Sequence, residues 1–256
     1  DGVLSQNSFI AALENTYEGV KQKSINAKKK QISVPDVDYF CFHSPYSKLV
    51  QKSFMKLYWN DIQSGIIKPS ADLQNLMEAT NSNYNDKKVA KALAKDMQEV
   101  WKDKVERSLY LSKNCGNSYT ASLYFCLMSL LCDPEVDLTN KRILMFSYGS
   151  GCAASMFSVR VNQEYGIIKS TSDFNERLDS RNQKTPEEYE ACLALRESYH
   201  GKNSYTPMGS INDLLPGTYY LEGIDDKWRR EYKRVIKYPT ISISSQSSKL
   251  FAISKM

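Results

Sequence analysis

The chain has 256 residues, enough for one large domain or two small ones. Hydrophobic residues make up 41% of it and charged residues 25%, which is ordinary for a globular protein and excludes disorder of the whole chain. Its net charge of +5 is mild, and its basic residues form no face interleaved with aromatic residues, so we expect no nucleic-acid partner.

Cysteines and apolar residues limit the class of protein further. The six cysteines form no C-x-x-C pair and the chain has only two histidines, so we expect no bound metal. Free thiols in a reducing compartment are the interpretation we favour. No stretch reaches about 18 consecutive apolar residues, so we expect no membrane span. The chain opens at Asp1 rather than at a methionine, as though cut from a longer protein.

Hydrophobic spacing and turn residues predict alternating helices and strands along the chain. The predicted helices cover residues 6–22, 46–62, 86–106, 119–131, 172–180 and 186–199. The predicted strands cover residues 37–43, 142–148, 153–161, 218–223 and 231–235. This order indicates an α/β or α+β protein.

Several boundaries depend on particular residues. Basic residues after the first helix predict a loop over residues 21–35, and Ser44 before Pro45 is a candidate cap for the second helix. Asn and Ser residues predict a surface insertion over residues 63–85. The helix over 119–131 is apolar nearly all round, which predicts burial on every side.

His43 lies where a predicted strand ends and a helix begins, a position that can place an imidazole at the rim of a sheet. Its pKa near neutrality suits acid–base chemistry, although a lone histidine is more often structural. Lys48 and Lys52 share one face of the following helix. Two ammonium groups on one face can bind a diphosphate or a 3′-phosphate, and the alternative is a solvated helix face.

Two further segments contain candidate site residues. Asn117 precedes the apolar helix, so it is either a helix cap or a side-chain amide that faces a substrate carbonyl. The run Tyr148-Gly149-Ser150-Gly151 joins two predicted strands as a hairpin. Its flexible backbone can aim an N–H at a developing oxyanion, and the alternative is a simple hairpin hinge.

Together these segments closely resemble one family, the hydroxymethylglutaryl-CoA (HMG-CoA) synthases. The similarity is carried by His43-Ser44-Pro45-Tyr46 with Lys48-Leu49-Val50-Gln51-Lys52-Ser53, Gly116-Asn117 with Tyr119-Thr120-Ala121-Ser122, Phe146-Ser147-Tyr148-Gly149-Ser150-Gly151, and Gly217-Thr218-Tyr219-Tyr220-Leu221. The resemblance implies a thiolase-like α/β fold, with residues 1–237 as the C-terminal half of an αβαβα layered architecture. Residues 238–256 remain an edge strand or a loose tail.

The resemblance also implies an activity. The family condenses acetyl-CoA with acetoacetyl-CoA to 3-hydroxy-3-methylglutaryl-CoA, an acyltransferase step of the mevalonate pathway to isoprenoids and sterols. These coenzyme A thioesters are substrates, and no cofactor is implied. By resemblance, Lys48 and Lys52 hold the CoA phosphates. A homodimer of the complete enzyme is expected, in the cytoplasm or alternatively in the mitochondrion.

By the same resemblance, His43 contacts the acetoacetyl ketone and donates a proton to the new alkoxide, while Asn117 orients the acyl group. The backbone N–H of Ser150 stabilises the oxyanion of the acetyl thioester, next to Tyr148 and Gly149 in the substrate site. In the family these residues face a nucleophilic cysteine and a glutamate base, both from an N-terminal half.

None of the six cysteines fits the nucleophile's sequence context, and no glutamate matches the base. We therefore expect an N-terminal half, in the same or a separate chain, to supply both, and this chain alone to be inactive and to expose an apolar patch. The alternative is a catalytically inactive half retained as a structural or CoA-binding subunit. A relative that uses acetyl on a carrier protein fits less well, because the insertion over 63–85 resembles eukaryotic members.

Overall fold

The structure, a computed structural model, describes residues 2–28, 30–149 and 151–236. The chain divides into two compact units, residues 1–181 and 182–256, and each has its own sheet. Ser150 and the predicted tail over 238–256 lie outside the described residues.

Helices dominate the described part of the first unit. They are α1 (Gly2–Lys28), α2 (Ser47–Gln63), α3 (Ala71–Ala79), α4 (Lys87–Asp96), α5 (Gln98–Lys104), α6 (Tyr110–Cys115), α7 (Ser122–Leu131), α8 (Gly166–Ser172) and α9 (Phe174–Asp179). Its strands are β1 (Tyr39–Phe42), β2 (Arg142–Gly149) and β3 (Ala153–Arg160). Short 3-10 helices include those at Val34–Asp36 and Tyr119–Ala121.

The three strands form one sheet in the order β1-β2-β3. β1 runs parallel to β2, with Phe42 opposite Phe146, while β2 and β3 form the predicted antiparallel hairpin. The long connection from β1 to β2 contains helices α2 to α7. Because β1 and β2 are parallel, their carboxyl ends lie at the same edge of the sheet, where ligands bind in many α/β proteins.

Helices cover the parallel pair of strands β1 and β2, whereas β3 is largely exposed. β1 buries Phe40, Cys41 and Phe42 in succession, as expected for a strand without a solvated face. α1 packs against β2 and β3, and its Phe9 ring lies edge-on to Phe146 at 5.3 Å. α7 packs against β1 and β2. The apolar runs of the sequence therefore reflect a parallel strand pair enclosed by helices.

Helix α1 extends past its predicted end near residue 22, so the predicted loop over 21–35 is wrong for its first part. A buried polar group explains the extension. Lys21 is 3% exposed and pairs with the fully buried Asp61 of α2 at 2.8 Å. The second oxygen of Asp61 accepts the Tyr17 hydroxyl at 3.0 Å and the Val34 N–H at 2.7 Å. These four residues, the Asp61 cluster, connect α1, α2 and the 3-10 helix at 34–36.

Helix α2 begins later than predicted. Its N-cap is Tyr46, so the prediction that Ser44 caps the helix is wrong. The backbone N–H of Ser44 instead donates to the Ser122 hydroxyl at 3.1 Å, while the Ser44 hydroxyl is buried without a hydrogen bond to the described residues. The side chains of Leu49, Phe54 and Leu57 on α2 are buried.

The helices of the long connection differ from the prediction in three ways. The predicted insertion over 63–85 contains α3, which buries Leu73 completely. The predicted helix over 86–106 is broken at Met97, because α4 packs on α2 and α3 whereas α5 packs on β1. The helix predicted over 119–131 is not covered on every side in this chain, since the side chain of Tyr124 is 61% exposed, which agrees with the expectation that the chain alone exposes an apolar patch.

The second unit contains α10 (Pro186–Tyr199) and the antiparallel strands β4 (Tyr219–Ile224) and β5 (Arg230–Arg234), close to their predicted ranges. Thr185 caps α10: its hydroxyl accepts the Glu188 N–H at 3.2 Å, and the Glu188 carboxylate accepts the Thr185 N–H at 2.9 Å. This reciprocal capping explains why the helix start was readable from the sequence.

Candidate functional site

His43 lies directly after β1, at the edge where β1 and β2 end. Its backbone N–H donates to the carbonyl of Phe146 at 2.7 Å, which extends the ladder between the parallel strands by one residue. Its ring Nδ1 lies 2.6 Å from the hydroxyl of Ser122, the first residue of α7. The strand therefore fixes the backbone of His43, and the helix fixes its ring.

The ring of His43 is half-buried, and this burial lowers its pKa below the ordinary 6.5. Burial has this effect because it disfavours the charged imidazolium. The imidazole is thus neutral at pH 7. Nε2, the other ring nitrogen, makes no hydrogen bond to the described residues, which leaves it free to contact a ligand.

An aromatic group lies beside the imidazole. The Phe9 ring of α1 is 6.4 Å from the His43 ring and 4.9 Å from the Tyr148 ring, centroid to centroid. Tyr148 lies near the end of β2, at the same edge of the sheet as His43. Burial, followed by the Cys152 thiol, raises the pKa of Tyr148, so its hydroxyl keeps its proton and donates it to Cys152 Sγ at 3.8 Å.

Asn117 lies on the exposed turn that precedes the 3-10 helix at 119–121. Its side-chain oxygen accepts the Tyr119 N–H at 2.8 Å in an Asx turn, while the N-cap of the 3-10 helix is Ser118, so the interpretation of Asn117 as the helix cap is wrong. Its amide nitrogen has no hydrogen-bond partner among the described residues. No hydrogen bond joins Asn117 to His43 in that part of the chain, although Ser122 follows Asn117 closely in sequence.

Lys48 and Lys52 lie on the first two turns of α2, which starts soon after His43. Lys48 donates to the side-chain oxygen of Gln51 at 2.7 Å, and Lys52 donates to that of Gln6 at 3.2 Å. Neither lysine pairs with a carboxylate in the described part of the chain. Two positive charges held by neutral amides remain available to an anion such as a phosphate.

The glycine hairpin is described only in part. Gly149 ends β2, is exposed and pairs with Ala153. Gly151 has a φ of +84°, which requires glycine for an unstrained turn. Ser150, the residue expected to donate a backbone N–H to an oxyanion, lies outside the described residues. Its role stays a prediction.

Two cysteines of the described residues have a shifted pKa, and in both the shift is upward, which is opposite to that of a reactive thiol. Burial raises the pKa of Cys41 well above its usual value and that of Cys126 to about 11. Such thiols stay protonated at neutral pH and are poor nucleophiles. In the described ranges, no three His, Cys, Asp or Glu side chains lie together as a metal site would require, and no helix is long and apolar enough to cross a membrane.

The structure thus brings His43, Tyr148 and Phe9 together with Ser122. Asn117 and the two lysines lie on adjoining segments, and within the described residues no hydrogen bond joins them to this group. Sequence reasoning assigned no role to Ser122, although this residue lies within one of the motifs quoted above. Its partner His43 is 79 residues away, so no local pattern could reveal the contact. The arrangement places a neutral imidazole and a phenol near a helix face that carries two lysines.

Known structures have a similar fold. MvaS in complex with 3-hydroxy-3-methylglutaryl coenzyme A matches with a TM-score of 0.68 and 25% identity, over 91% of this chain and 51% of MvaS. PksG from Bacillus subtilis, an HMG-CoA synthase, matches with a TM-score of 0.67 and 21% identity, over 92% and 52% of the two chains. These likenesses confirm the predicted class, a thiolase-like α/β fold.

Sequence comparison then defines the family. A family model for the C-terminal part of hydroxymethylglutaryl-coenzyme A synthase matches residues 1–235, so the chain belongs to the HMG-CoA synthase family. The mitochondrial enzyme of Mus musculus is 39% identical over 252 residues, 91% of this chain and 50% of the mouse protein. The enzyme of Ganoderma lucidum is 37% identical over 249 residues, 93% and 53% of the two chains. The chain spans about half the length of these relatives.

Proposed function

We propose that this chain is the C-terminal half of an enzyme that condenses acetyl-CoA with acetoacetyl-CoA to 3-hydroxy-3-methylglutaryl-CoA. The observation that carries the proposal is the position of His43 at the shared end of two parallel strands, with its ring fixed by Ser122. The match of residues 1–235 to the family supports it. The likeness to MvaS, which has been solved in complex with HMG-CoA, supports it as well.

In this proposal the neutral His43 ring donates its N–H to the ketone oxygen of acetoacetyl-CoA and supports the alkoxide that forms there. A neutral imidazole can polarise a carbonyl in this way. The amide of Asn117 orients the acyl group, and the N–H of Ser150 stabilises the thioester oxyanion. Tyr148 and Gly149 line the same edge, and Lys48 and Lys52 hold the CoA phosphates.

The nucleophile and the base come from an N-terminal half. Two observations support this division. The relatives are about twice as long as the matched region, and the buried thiols of Cys41 and Cys126 have raised pKa values. The exposed side chains of Tyr119 and Tyr124 offer an apolar surface that such a half would cover. We further propose a homodimer of the complete enzyme, in the cytoplasm.

The decisive test compares three proteins in an assay for product formation from acetyl-CoA and acetoacetyl-CoA. The first is this chain alone, and the second is a fusion in which the N-terminal half of the mouse mitochondrial enzyme precedes this chain. The third is the same fusion with its nucleophilic cysteine replaced by alanine. We expect turnover from the intact fusion alone, because a missing nucleophile removes the covalent step.

Turnover by this chain alone would show that the N-terminal half is unnecessary. A folded fusion without activity would instead favour the alternative, an inactive half retained for structure or CoA binding. Circular dichroism and gel filtration of each protein establish folding, so that inactivity has a single interpretation.

The lysine pair gives a separate prediction for CoA binding. The double substitution Lys48→Ala/Lys52→Ala is expected to weaken CoA binding by about 10-fold or more, since each charge-assisted contact contributes about 1.5–3 kcal/mol. Isothermal titration calorimetry of the fusion measures this affinity. The loss should shrink at high salt, because salt screens exposed charges. Repeating the titration with 3′-dephospho-CoA separates contacts to the 3′-phosphate from contacts to the diphosphate.

The chain offers a matched control on another helix. Lys87 and Lys91 of α4 are exposed and, like Lys48 and Lys52, lie four residues apart on one helix face. Their double substitution with alanine removes the same charge and should change the affinity by no more than about twofold. Equal losses from the two pairs would mean that CoA senses only the net charge, which would contradict a specific role for Lys48 and Lys52.

A further inference from the structure

We propose that Ser122 is a positioning residue that holds the hydrogen of the neutral His43 imidazole on Nε2. The inference deepens the proposed function and rests on it for the role of His43, but its test does not depend on activity. It concerns one hydroxyl at the start of α7, whose oxygen lies 2.6 Å from His43 Nδ1 and 3.1 Å from the Ser44 backbone nitrogen.

The direction of each hydrogen bond follows from counting donors. A serine hydroxyl has one hydrogen to donate and two lone pairs to accept with. The Ser44 N–H can only donate, so it occupies one lone pair of the Ser122 oxygen. The hydroxyl hydrogen of Ser122 then needs an acceptor, and within the described residues its one remaining partner is His43 Nδ1.

The opposite arrangement leaves a group unpaired. If Nδ1 carried the hydrogen, it would donate to Ser122, whose own hydrogen would have no acceptor among the described residues. Ser122 is fully buried, so water does not reach that hydrogen from the surface. Buried unpaired polar groups are strongly disfavoured. The neutral ring therefore accepts at Nδ1 and carries its hydrogen on Nε2.

This arrangement has a chemical consequence for His43. In the imidazolium both nitrogens carry hydrogen, and in the neutral ring Ser122 keeps the hydrogen on Nε2. The nitrogen that has no partner in the described part of the chain is therefore an N–H donor in either charge state. A substrate oxygen that reaches Nε2 always meets a donor, which is the requirement for stabilising a developing alkoxide.

Nitrogen-15 NMR of the imidazole tests the inference directly, and the chain contains only two histidines. The fusion protein is prepared with the mouse half unlabelled and this chain labelled with 15N-histidine, joined by segmental ligation. Spectra are recorded at a pH well above 6.5, and a His200→Gln variant assigns the signals. We expect the Nδ1 of His43 to resonate as an unprotonated nitrogen and Nε2 as a protonated one.

Variants then attribute the tautomer to the hydroxyl. Ser122→Ala should raise the share of the Nδ1–H tautomer about 5-fold, the change in equilibrium that one net hydrogen bond produces. Ser122→Thr keeps a hydroxyl and should restore the wild-type spectrum. Ser44→Ala is the matched control, because it removes an equal-sized group next to His43 that makes no hydrogen bond to the described residues.

A protonated Nδ1 in the unsubstituted protein would overturn the inference, whatever the variants do. An unchanged tautomer in a folded Ser122→Ala protein would also overturn it. Neither result bears on whether the fusion makes product, so failure of this inference is distinguishable from failure of the proposed function.

Discussion

Replacing His43 with alanine in the fusion enzyme is expected to lower kcat by about 10²- to 10⁴-fold, the range for a group that takes part in proton transfer. The expectation follows from the position of the ring, which is fixed by the strand on one side and by Ser122 on the other. Steady-state kinetics with acetoacetyl-CoA measures the change, and KM should change much less if the contact forms mainly in the transition state.

The pH dependence follows from the burial of His43. Because burial lowers its pKa below 6.5, the neutral ring is the dominant form at pH 7 and protonation occurs only at more acidic pH. Since Nε2 carries a hydrogen in both charge states, protonation of His43 below pH 6.5 should not lower kcat, and the pH–rate profile of the alanine variant should keep the shape of the unsubstituted profile there. The same shift makes folding stability decrease as the pH falls from about 6.5, the unfolded value, towards the lower pKa of the folded protein, since the unfolded chain binds the proton more readily.

His200 provides the control for this prediction. It is the other histidine, follows α10 in the second unit and is exposed. Its substitution with alanine should change kcat by no more than about twofold. A His43→Ala enzyme with nearly full kcat would show that the imidazole has a structural role only.

Replacing Asp61 with alanine is expected to lower the free energy of unfolding by about 3–5 kcal/mol, the usual loss when one partner of a buried ion pair is removed. The substitution leaves the buried ammonium of Lys21 without its carboxylate. It also leaves the Tyr17 hydroxyl and the Val34 N–H without an acceptor. Urea unfolding followed by circular dichroism measures the change.

A double substitution tests the physical reason. The double variant Lys21→Met/Asp61→Asn removes both buried charges. Tyr17 and Val34 share a single oxygen of Asp61, so the amide oxygen of the asparagine can still accept both hydrogen bonds. Most of the lost stability should return. Glu99→Ala, which breaks the exposed ion pair with Lys102, should cost no more than about 1 kcal/mol. A loss of that small size from Asp61→Ala would contradict the importance of the cluster.

The sequence was sufficient where a pattern is local. Phe9 and Leu13 of α1 and Leu49 of α2 show the spacing of a buried helix face, and all three are buried. The glycine hairpin between β2 and β3 was predicted because a tight turn between two apolar runs is a short-range feature. The position of His43 between a strand and a helix was predicted in the same way, whereas its role at the site came only from the resemblance to the family and stays a prediction.

The sequence was insufficient where a residue depends on a distant partner. Lys21 was assigned to a basic loop from the sequence, but Asp61, whose carboxylate pairs with it, lies 40 residues further along the chain. Ser44 read as a helix cap, whereas its N–H bonds a hydroxyl 78 residues away. Met97 separates two helices because each packs on a different neighbour, and nothing in the surrounding residues marks that change of direction.

The wide separation of β1 from β2 has a consequence during synthesis on the ribosome. Arg142 at the start of β2 bonds Asp38 before β1, across 104 residues of chain. At about 5–20 residues per second, β1 leaves the ribosome about 5–20 seconds before its neighbour is made. During that interval the apolar side chains of Phe40 and Phe42 lack their strand partner, so we expect the nascent polypeptide to be a client of chaperones until translation has passed β2.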